Sequence, residues 1–529
     1  MLGHRIASEF GNVMKVGYIP DPFGHISQMP QILREFGIDN VILWRGFGGE
    51  PEQTTSEYYW DAPDGSRVLL IHLPEAGYTQ IVRFPDNPEE SIALIKDLQK
   101  EYRKRTTTSY LSVFNGSDHI APHAELPRII KDINEQLEDA LVVQSSLRAY
   151  VEKLKEAVPE DFPVVRGEFR AGLKHTCLLT GVLSTRMYLK QENEKVQTLL
   201  EKWAEPFSAL AWMLNEPYPR GFLWQSWKYL LQNHPHDSIC GCSVDPIHEQ
   251  MMTRFAWSEE IAEELIVNSL KAITQKINTA GSDSTVQYLT VFNPLGWKRS
   301  EVIRATIDFL TPDQLSAIPV QLASSSPYTE DVKGFVIYDE HGNEVPYQLL
   351  ENKICANIIP SPDLSTFPGV QKVIRFEILL QANDVPACGY KAYQVIPQSM
   401  IKQYKGGVQN LFCGASCEMG NEYLSVQIQP NGTITITDKT TGEVYDDCNA
   451  FEDGGDVGDE YNYSYPLRDR IISSIGLPAA IELVEQGPLR VTYKVSQMLP
   501  LPKSATPERQ ARSQEAIDML ITSYISLAA

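Results

Sequence analysis

The run Gly17-Tyr18-Ile19-Pro20-Asp21-Pro22-Phe23-Gly24-His25 sets one acid between two prolines, directly after apolar residues. Each proline fixes its own φ near about −65°, and Pro22 also pushes Asp21 out of helical space. An acid gripped in this way can be aimed at a substrate; the plain alternative is a helix-capping or turn aspartate. Two other segments end on polar groups of matching chemistry. Arg45 follows a predicted strand in Leu43-Trp44-Arg45-Gly46-Phe47, and Asp118 follows another in Asn115-Gly116-Ser117-Asp118-His119. Two carboxyl groups held roughly 5 Å apart perform glycoside hydrolysis with retention, one as nucleophile and one as acid/base. Asp21 and Asp118 could be that pair. Asp21 would have to attack as the carboxylate, which Arg45 or a zinc ion would favour, and Asp118 would have to begin protonated. The alternatives are a loop-capping aspartate in a Gly-Ser turn for Asp118 and a surface arginine for Arg45.

A fourth segment lies far along the chain, Asn233-His234-Pro235-His236-Asp237-Ser238. His234 and His236 flank a proline and so do not share a helix face. A lone histidine at a helix end is more often structural than a ligand, yet a neutral imidazole beside carboxylates is a donor set that zinc accepts.

These groups need a scaffold that brings strand ends together, as parallel β/α folds do. Residues 1–165 alternate strand and helix patterns. Strands are predicted at 15–19, 40–44, 67–72 and 110–114, and helices at 28–36 (with Ser27 as its cap), 88–103, 124–138 and 144–156. The strands are continuous apolar runs, as expected where both faces are covered, and a partial β/α barrel is the predicted architecture. Residues 166–282 read as helical. Leu189, Val196, Trp203 and Leu210 recur every seven residues, with Leu199 and Leu200 filling the seam. Phe222, Leu223, Trp227, Leu230 and Leu231 make a second stripe. Asp245-Pro246 opens a third helix carrying Ile247, Met251, Ile261, Leu265 and Ile273. A three-helix bundle is predicted, with its tryptophans in the core. From residue 283 to 529 the period becomes two. Strands are predicted at 286–292, 302–309, 373–380, 424–429, 490–495 and 520–527, with a hairpin turn at Pro430-Asn431-Gly432 and one helix at 507–518. This is an antiparallel β-sandwich, expected to be incomplete because the chain stops just after a strand. The fold class is thus multidomain: α/β, then all-α, then all-β.

The composition narrows the partners. With 529 residues the chain is too long for one core. Lys+Arg 46 against Asp+Glu 68 gives a net charge of −22, which argues against nucleic acid or an anionic membrane surface. No apolar stretch reaches the ~20 residues that span a bilayer. The first residues lack a signal-peptide core. The 8 cysteines follow no disulfide framework, and a reduced, cytoplasmic protein is the expectation. Cys240 and Cys242 have no second pair, so they do not form a structural zinc site.

In sequence and order, the Asp21–His25 run and the His236-Asp237 pair resemble the family 38 glycoside hydrolases, the retaining α-mannosidases, in their bacterial type. The resemblance extends over nearly the whole chain. It implies that Asp21 is the catalytic nucleophile and also a zinc ligand, that Asp118 is the acid/base, and that His236 is a second zinc ligand. It further implies that Asp237 binds a sugar hydroxyl, that Arg45 stands beside the nucleophile, and that Phe23 contacts the sugar. His25, His119 and His234 are secondary candidates. Zinc would hold two hydroxyls of the mannose ring. Family members carry a further His and Asp in an H-x-H-W-D-like run before the nucleophile. The 20 residues before Asp21 contain no such run, which leaves two of the expected zinc ligands absent. The expectation is therefore a chain shortened at its N-terminus, and at its C-terminus too, with weak or no activity.

Three other readings stand beside a mannosidase of carbohydrate substrates. One is a phospho-mannosyl-glycerate hydrolase of the same family, which should need extra basic groups. Another is a catalytically dead carbohydrate-binding protein. The last, a deacetylase-like metal module, is disfavoured because the His-Asp pair does not lie within the barrel repeat. A homo-oligomer is compatible with all of them.

Overall fold

The protein is described from a computed structural model, covering residues 1–529 except 49–53, 160–161, 172–177, 280, 282, 313–326, 329, 360–368, 403–410 and 415–416. Cys177 lies outside the described residues. The chain divides into two compact units. The first comprises residues 1–189, 234–248 and 460–463, and the second comprises the rest.

The first unit is built on five strands: β1 (Gly17–Ile19), β2 (Asn40–Leu43), β3 (Glu57–Asp61), β4 (Arg67–His72) and β5 (Val164–Arg166). Their order is β1-β2-β4-β3-β5. β1, β2 and β4 run parallel, with Ile19 beside Leu43 and Leu43 beside His72. β3 is antiparallel to β4 and parallel to β5. Successive side chains of β2 and β4 enter different cores. Val41, Leu43, Val68 and Leu70 pack with Leu33, Tyr58, Trp60 and Phe169. Ile42, Leu69 and Ile71 pack with Val151 and Leu154 of the helix Leu147–Ala157. Burial on both faces is why these strands are unbroken apolar runs rather than alternating ones.

The sheet is open, its described ends being β1 and β5. One expectation for this region is corrected. Residues 110–114 are not a strand; at Asn115 one isolated parallel bridge to Ile81 forms. The reason is an edge already occupied. β3, which the sequence reading passed over, folds back through a tight turn at residues 62–66 and pairs along the side of β4 that a strand at 110–114 would need.

The second unit contains the helices between residues 190 and 233, most of the long helix Asp245–Thr274, and most of the β-structure. The seven-residue seam begins as expected, with Leu189, Val196 and Leu200 fully buried. A π-helical stretch, Leu199–Ala204, then inserts an extra residue into the turn. It moves the buried line from Trp203 and Leu210 to Ala204, Phe207 and Ala211. The tryptophans of this region are less buried than predicted: Trp212, Trp224 and Trp257 are exposed, and Trp203 and Trp227 are half-buried. Ser226 bonds to Ser258 and Ser208 to Ser269, tying the helices Arg220–Leu231 and Glu205–Met213 to the long helix Asp245–Thr274.

Beyond residue 286 a four-stranded and a three-stranded sheet close on a core centred on Phe309, Phe335 and Phe376. A five-stranded and another three-stranded sheet share a second core of Met419, Val426, Val491, Tyr493 and Val495. The helix predicted at 507–518 does not form. Its first half is a turn, in which the Thr506 N–H donates to the Ala511 carbonyl, and its last residues open the strand Ala516–Ala528, which pairs over its whole length with Arg490–Pro502. Thirteen cross-strand pairs outweigh a helical composition on one edge. The seven described cysteines are all free, and no described helix is long and apolar enough to cross a membrane.

Candidate active site

The parallel register of β1, β2 and β4 delivers three loops to one edge of the sheet. Asp21 leaves β1 two residues past Ile19, and Arg45 leaves β2 two residues past Leu43. The turn after β4 brings up Tyr78. Arg45 donates to Asp21 Oδ1 from both Nε, at 2.7 Å, and Nη2, at 2.6 Å. The other carboxylate oxygen, Oδ2, accepts from the Tyr78 hydroxyl at 2.9 Å and stands 3.2 Å from His236 Nε2. Asp21 is thus addressed on both oxygens. Its side chain is 23% exposed and that of Arg45 only 11%, so the pair is partly shielded from water while remaining reachable.

The backbone around these groups is tightly constrained. Gly46 has φ +88°, and a Cβ there would stand 2.4 Å from the Phe169 carbonyl oxygen. Gly77 has φ +57°, and a Cβ there would meet the Trp44 ring at 2.5 Å. Glycine at these two positions lets the loops carrying Arg45 and Tyr78 cross beside their neighbours. The Arg45 guanidinium lies 4.4 Å from the Trp44 ring centroid and 5.3 Å from that of Phe23. Phe23 in turn meets His236 edge-on at 5.7 Å. Behind them, buried His72 bonds to the Trp44 carbonyl through Nε2, and Arg105 donates to its Nδ1.

Asp118 joins the group through Tyr78. The same hydroxyl oxygen is 3.1 Å from Asp118 Oδ2. Two carboxylate oxygens within hydrogen-bond reach of one atom are at most about 6 Å apart, which falls on the retaining side of the spacing known for glycosidase pairs. A hydroxyl has one proton to donate. When Tyr78 gives it to Asp21, a protonated Asp118 can donate to the Tyr78 oxygen, and both contacts are satisfied at once. Burial, reinforced by both carboxylates, pushes the Tyr78 phenol well above its ordinary value, so it remains a donor throughout the neutral range.

Tyr78 was missed by the sequence reading. The signal was available, since it stands in the loop that follows a parallel strand, where Asp21 and Arg45 were sought. Its removal is expected to have a measurable cost. Tyr78→Phe takes away the hydroxyl shared by the two carboxylates, each hydrogen bond to a charged group being worth on the order of 1.5–3 kcal/mol, and should lower kcat/KM about 10- to 100-fold with a modest fall in thermal midpoint. Steady-state kinetics with an aryl mannoside checks this.

The remaining residues are placed as follows. His236 opens the short helix His236–Cys240, and Asp237 Oδ2 lies 3.8 Å from His236 Nε2. The Asp237 carboxylate is largely exposed, and its Oδ1 accepts from the Cys242 thiol at 3.5 Å. His119 is exposed. Burial lowers the His234 pKa. His25 does not face the carboxylates: it is 4% exposed, and it packs edge-on against Trp60. Burial pushes its imidazole down to about 4.

A depressed imidazole ties stability to pH. The unfolded chain takes up a proton on His25 near pH 6.5, whereas the folded chain does so only near 4. The His25 contribution is complete above about pH 6.5 and is lost as pH falls towards 4, about 2 kcal/mol of it by pH 5. Urea unfolding at pH 7 and pH 5 should show that loss, and His25→Gln should remove this part of it.

The donor set does not fit a zinc ion. Asp21 and His236 are the two ligands that the sequence implies, and among the described residues no group of three or more His, Cys, Asp or Glu could hold a metal. Zinc takes three or four protein ligands, and both oxygens of Asp21 already bond to Arg45 and Tyr78.

Comparison with known proteins gives consistent matches. Residues 1–168 match the N-terminal domain of glycosyl hydrolases family 38, and residues 178–273 match the alpha mannosidase middle domain. A putative mannosylglycerate hydrolase of Halalkalibacterium halodurans is 28% identical across 100% of this chain and 61% of its own length. The human alpha-mannosidase 2C1 is 26% identical over 56% of this chain and 27% of its own. An alpha-mannosidase from Enterococcus faecalis superposes with a TM-score of 0.87 at 27% identity, over 100% of this chain and 61% of that one. The chain thus spans about three fifths of the length of the bacterial proteins it matches. The two matched domains and the likeness to these structures agree in what this chain is similar to, the family 38 glycosyl hydrolases.

Proposed function

We propose that this chain hydrolyses terminal α-mannosides with retention of configuration, with Asp21 as nucleophile and Asp118 as acid/base. The observation that carries the reading is the shared hydroxyl of Tyr78, which holds one oxygen of each carboxylate within about 6 Å of the other and so supports a retaining pair. In the first step the Asp21 carboxylate attacks the anomeric carbon. The bond from that carbon to the leaving oxygen breaks, and that oxygen takes the Asp118 proton. In the second step Asp118, now a carboxylate, takes a proton from water as the water oxygen attacks the anomeric carbon and frees Asp21. Arg45 and Tyr78 hold the Asp21 carboxylate in one orientation, so less motion has to be arrested during attack. Phe23 offers its ring to the apolar face of the sugar, and Asp237 a carboxylate to a hydroxyl. No step is drawn through zinc, for want of a fitting ligand set.

The stereochemical outcome tests the proposal. Proton NMR during hydrolysis of an aryl α-mannoside should show α-mannose as the first product, with β-mannose appearing only by later mutarotation. β-mannose formed first would overturn it. The similarity to a putative mannosylglycerate hydrolase across the whole chain supports a second reading, in which the aglycone is glycerate or its phosphate. Comparing kcat/KM for mannosylglycerate, its phosphate and an aryl mannoside separates the two.

A further inference from the structure

Within the β-rich unit a cavity of about 240 Å³ opens at one end of the four- and three-stranded sheets, lined by Asp339, Glu344, Val345, Gln381, Lys391 and Tyr393, among others. At about 30 Å³ per water it would hold roughly eight, and it lies just below the usual range for small-molecule sites. Its charged groups are all paired. Lys391 bonds to Glu340 at 2.9 Å and to the Asn383 carbonyl at 3.0 Å. Glu344 pairs with Lys402. Asp339 accepts from the His341 and Asn343 backbone N–H groups, closing its own turn.

The neutral groups are different. Tyr393 is 2% exposed and Gln381 is 5% exposed. Gln381 donates from Nε2 to Asn383 Oδ1 at 3.0 Å, while its Oε1 has no hydrogen-bond partner among the described residues. The Tyr393 hydroxyl likewise finds no acceptor there; its polar neighbour is the Asn383 backbone N–H, which leaves the phenolic proton undirected. Each such buried group costs on the order of 1–3 kcal/mol if unmet, and two of them line one cavity.

We infer that this cavity is a binding site for a neutral polyhydroxylated molecule of monosaccharide size, held by Tyr393 and Gln381. A sugar hydroxyl donates and accepts at once, which suits an unmet amide oxygen together with an unmet phenol. An anion is disfavoured by the carboxylates of Asp339 and Glu344, and a cation finds those carboxylates already engaged. Val345 and Pro346 supply the apolar wall that a sugar ring face requires. The site is independent of the carboxylate pair in the first unit.

The test is calorimetric titration of the full chain with D-mannose, alongside Tyr393→Phe and the double variant Tyr393→Phe/Gln381→Leu. The wild-type chain should show a binding class that weakens at least tenfold in the single variant and vanishes in the double one. Hydrolysis of an aryl mannoside should be unchanged. Tyr393→Phe keeps the ring that packs the core, so its thermal midpoint without sugar should match or exceed that of the wild type, and only the mannose-dependent rise should shrink. No such class in the wild type, or one unaffected by these changes, overturns the inference and leaves the cavity to water. Loss of the class on Arg45→Ala instead assigns it to the hydrolytic site, which also overturns it.

Discussion

Asp21→Asn is expected to abolish turnover, by a factor of about 10⁴ or more, while leaving the chain folded. The size follows from what the amide cannot do. An asparagine oxygen is a poor nucleophile, and removing the attacking group of a covalent mechanism costs about as much as removing the whole catalytic unit. The fold should survive because Asp21 lies on a loop outside both cores of the sheet. It does lose the partner of Arg45, whose side chain is 11% exposed, so a modest fall in thermal midpoint is expected. Activity against an aryl mannoside, with circular dichroism as the control for folding, measures both. Turnover near the wild-type rate would remove Asp21 from the chemistry and the proposed mechanism with it.

The second large effect is that of Asp118→Asn, and it depends on the leaving group. A general acid contributes about 10²- to 10⁴-fold, but only where the departing oxygen needs a proton. For an alkyl or sugar aglycone the first step should slow by that factor. For dinitrophenyl mannoside, whose phenolate leaves unaided, the first step should be nearly untouched. Hydrolysis of the intermediate then becomes limiting, because the asparagine cannot take a proton from water. Added azide, a nucleophile needing no base, should restore turnover and yield mannosyl azide. A uniform loss on every substrate, without azide rescue, would assign Asp118 a structural role.

The sequence-legible part of this protein was its parallel core. β1, β2 and β4 are continuous apolar runs, and that pattern, with the prolines that flank Asp21, pointed to Asp21 and Arg45. What stayed hidden depended on partners. Tyr-Leu-Ser-Val-Phe at 110–114 has strand composition, but the edge it would need is taken by β3. Nothing in residues 110–114 records that competition. The helix predicted at 507–518 failed for the same reason, since a strand partner at Arg490–Pro502 decides the matter. Tyr78 was hidden differently. A tyrosine after a glycine is common in turns, and its role appears only when two acids distant in sequence share its hydroxyl. The displaced helix seam turned on the π-helical residue, which a strict seven-residue count could not reveal.

The hairpin between β3 and β4 has a practical use. Because β4 runs towards the site, its first residue and the last residue of β3 lie at the opposite edge of the sheet, and the connecting Pro63, Asp64 and Gly65 are exposed. That turn is a place where an affinity peptide or a fluorescent reporter could be spliced into the chain. The reporter would sit at the far end of the strands that carry the carboxylates, so its signal could follow folding of the sheet while turnover is assayed undisturbed.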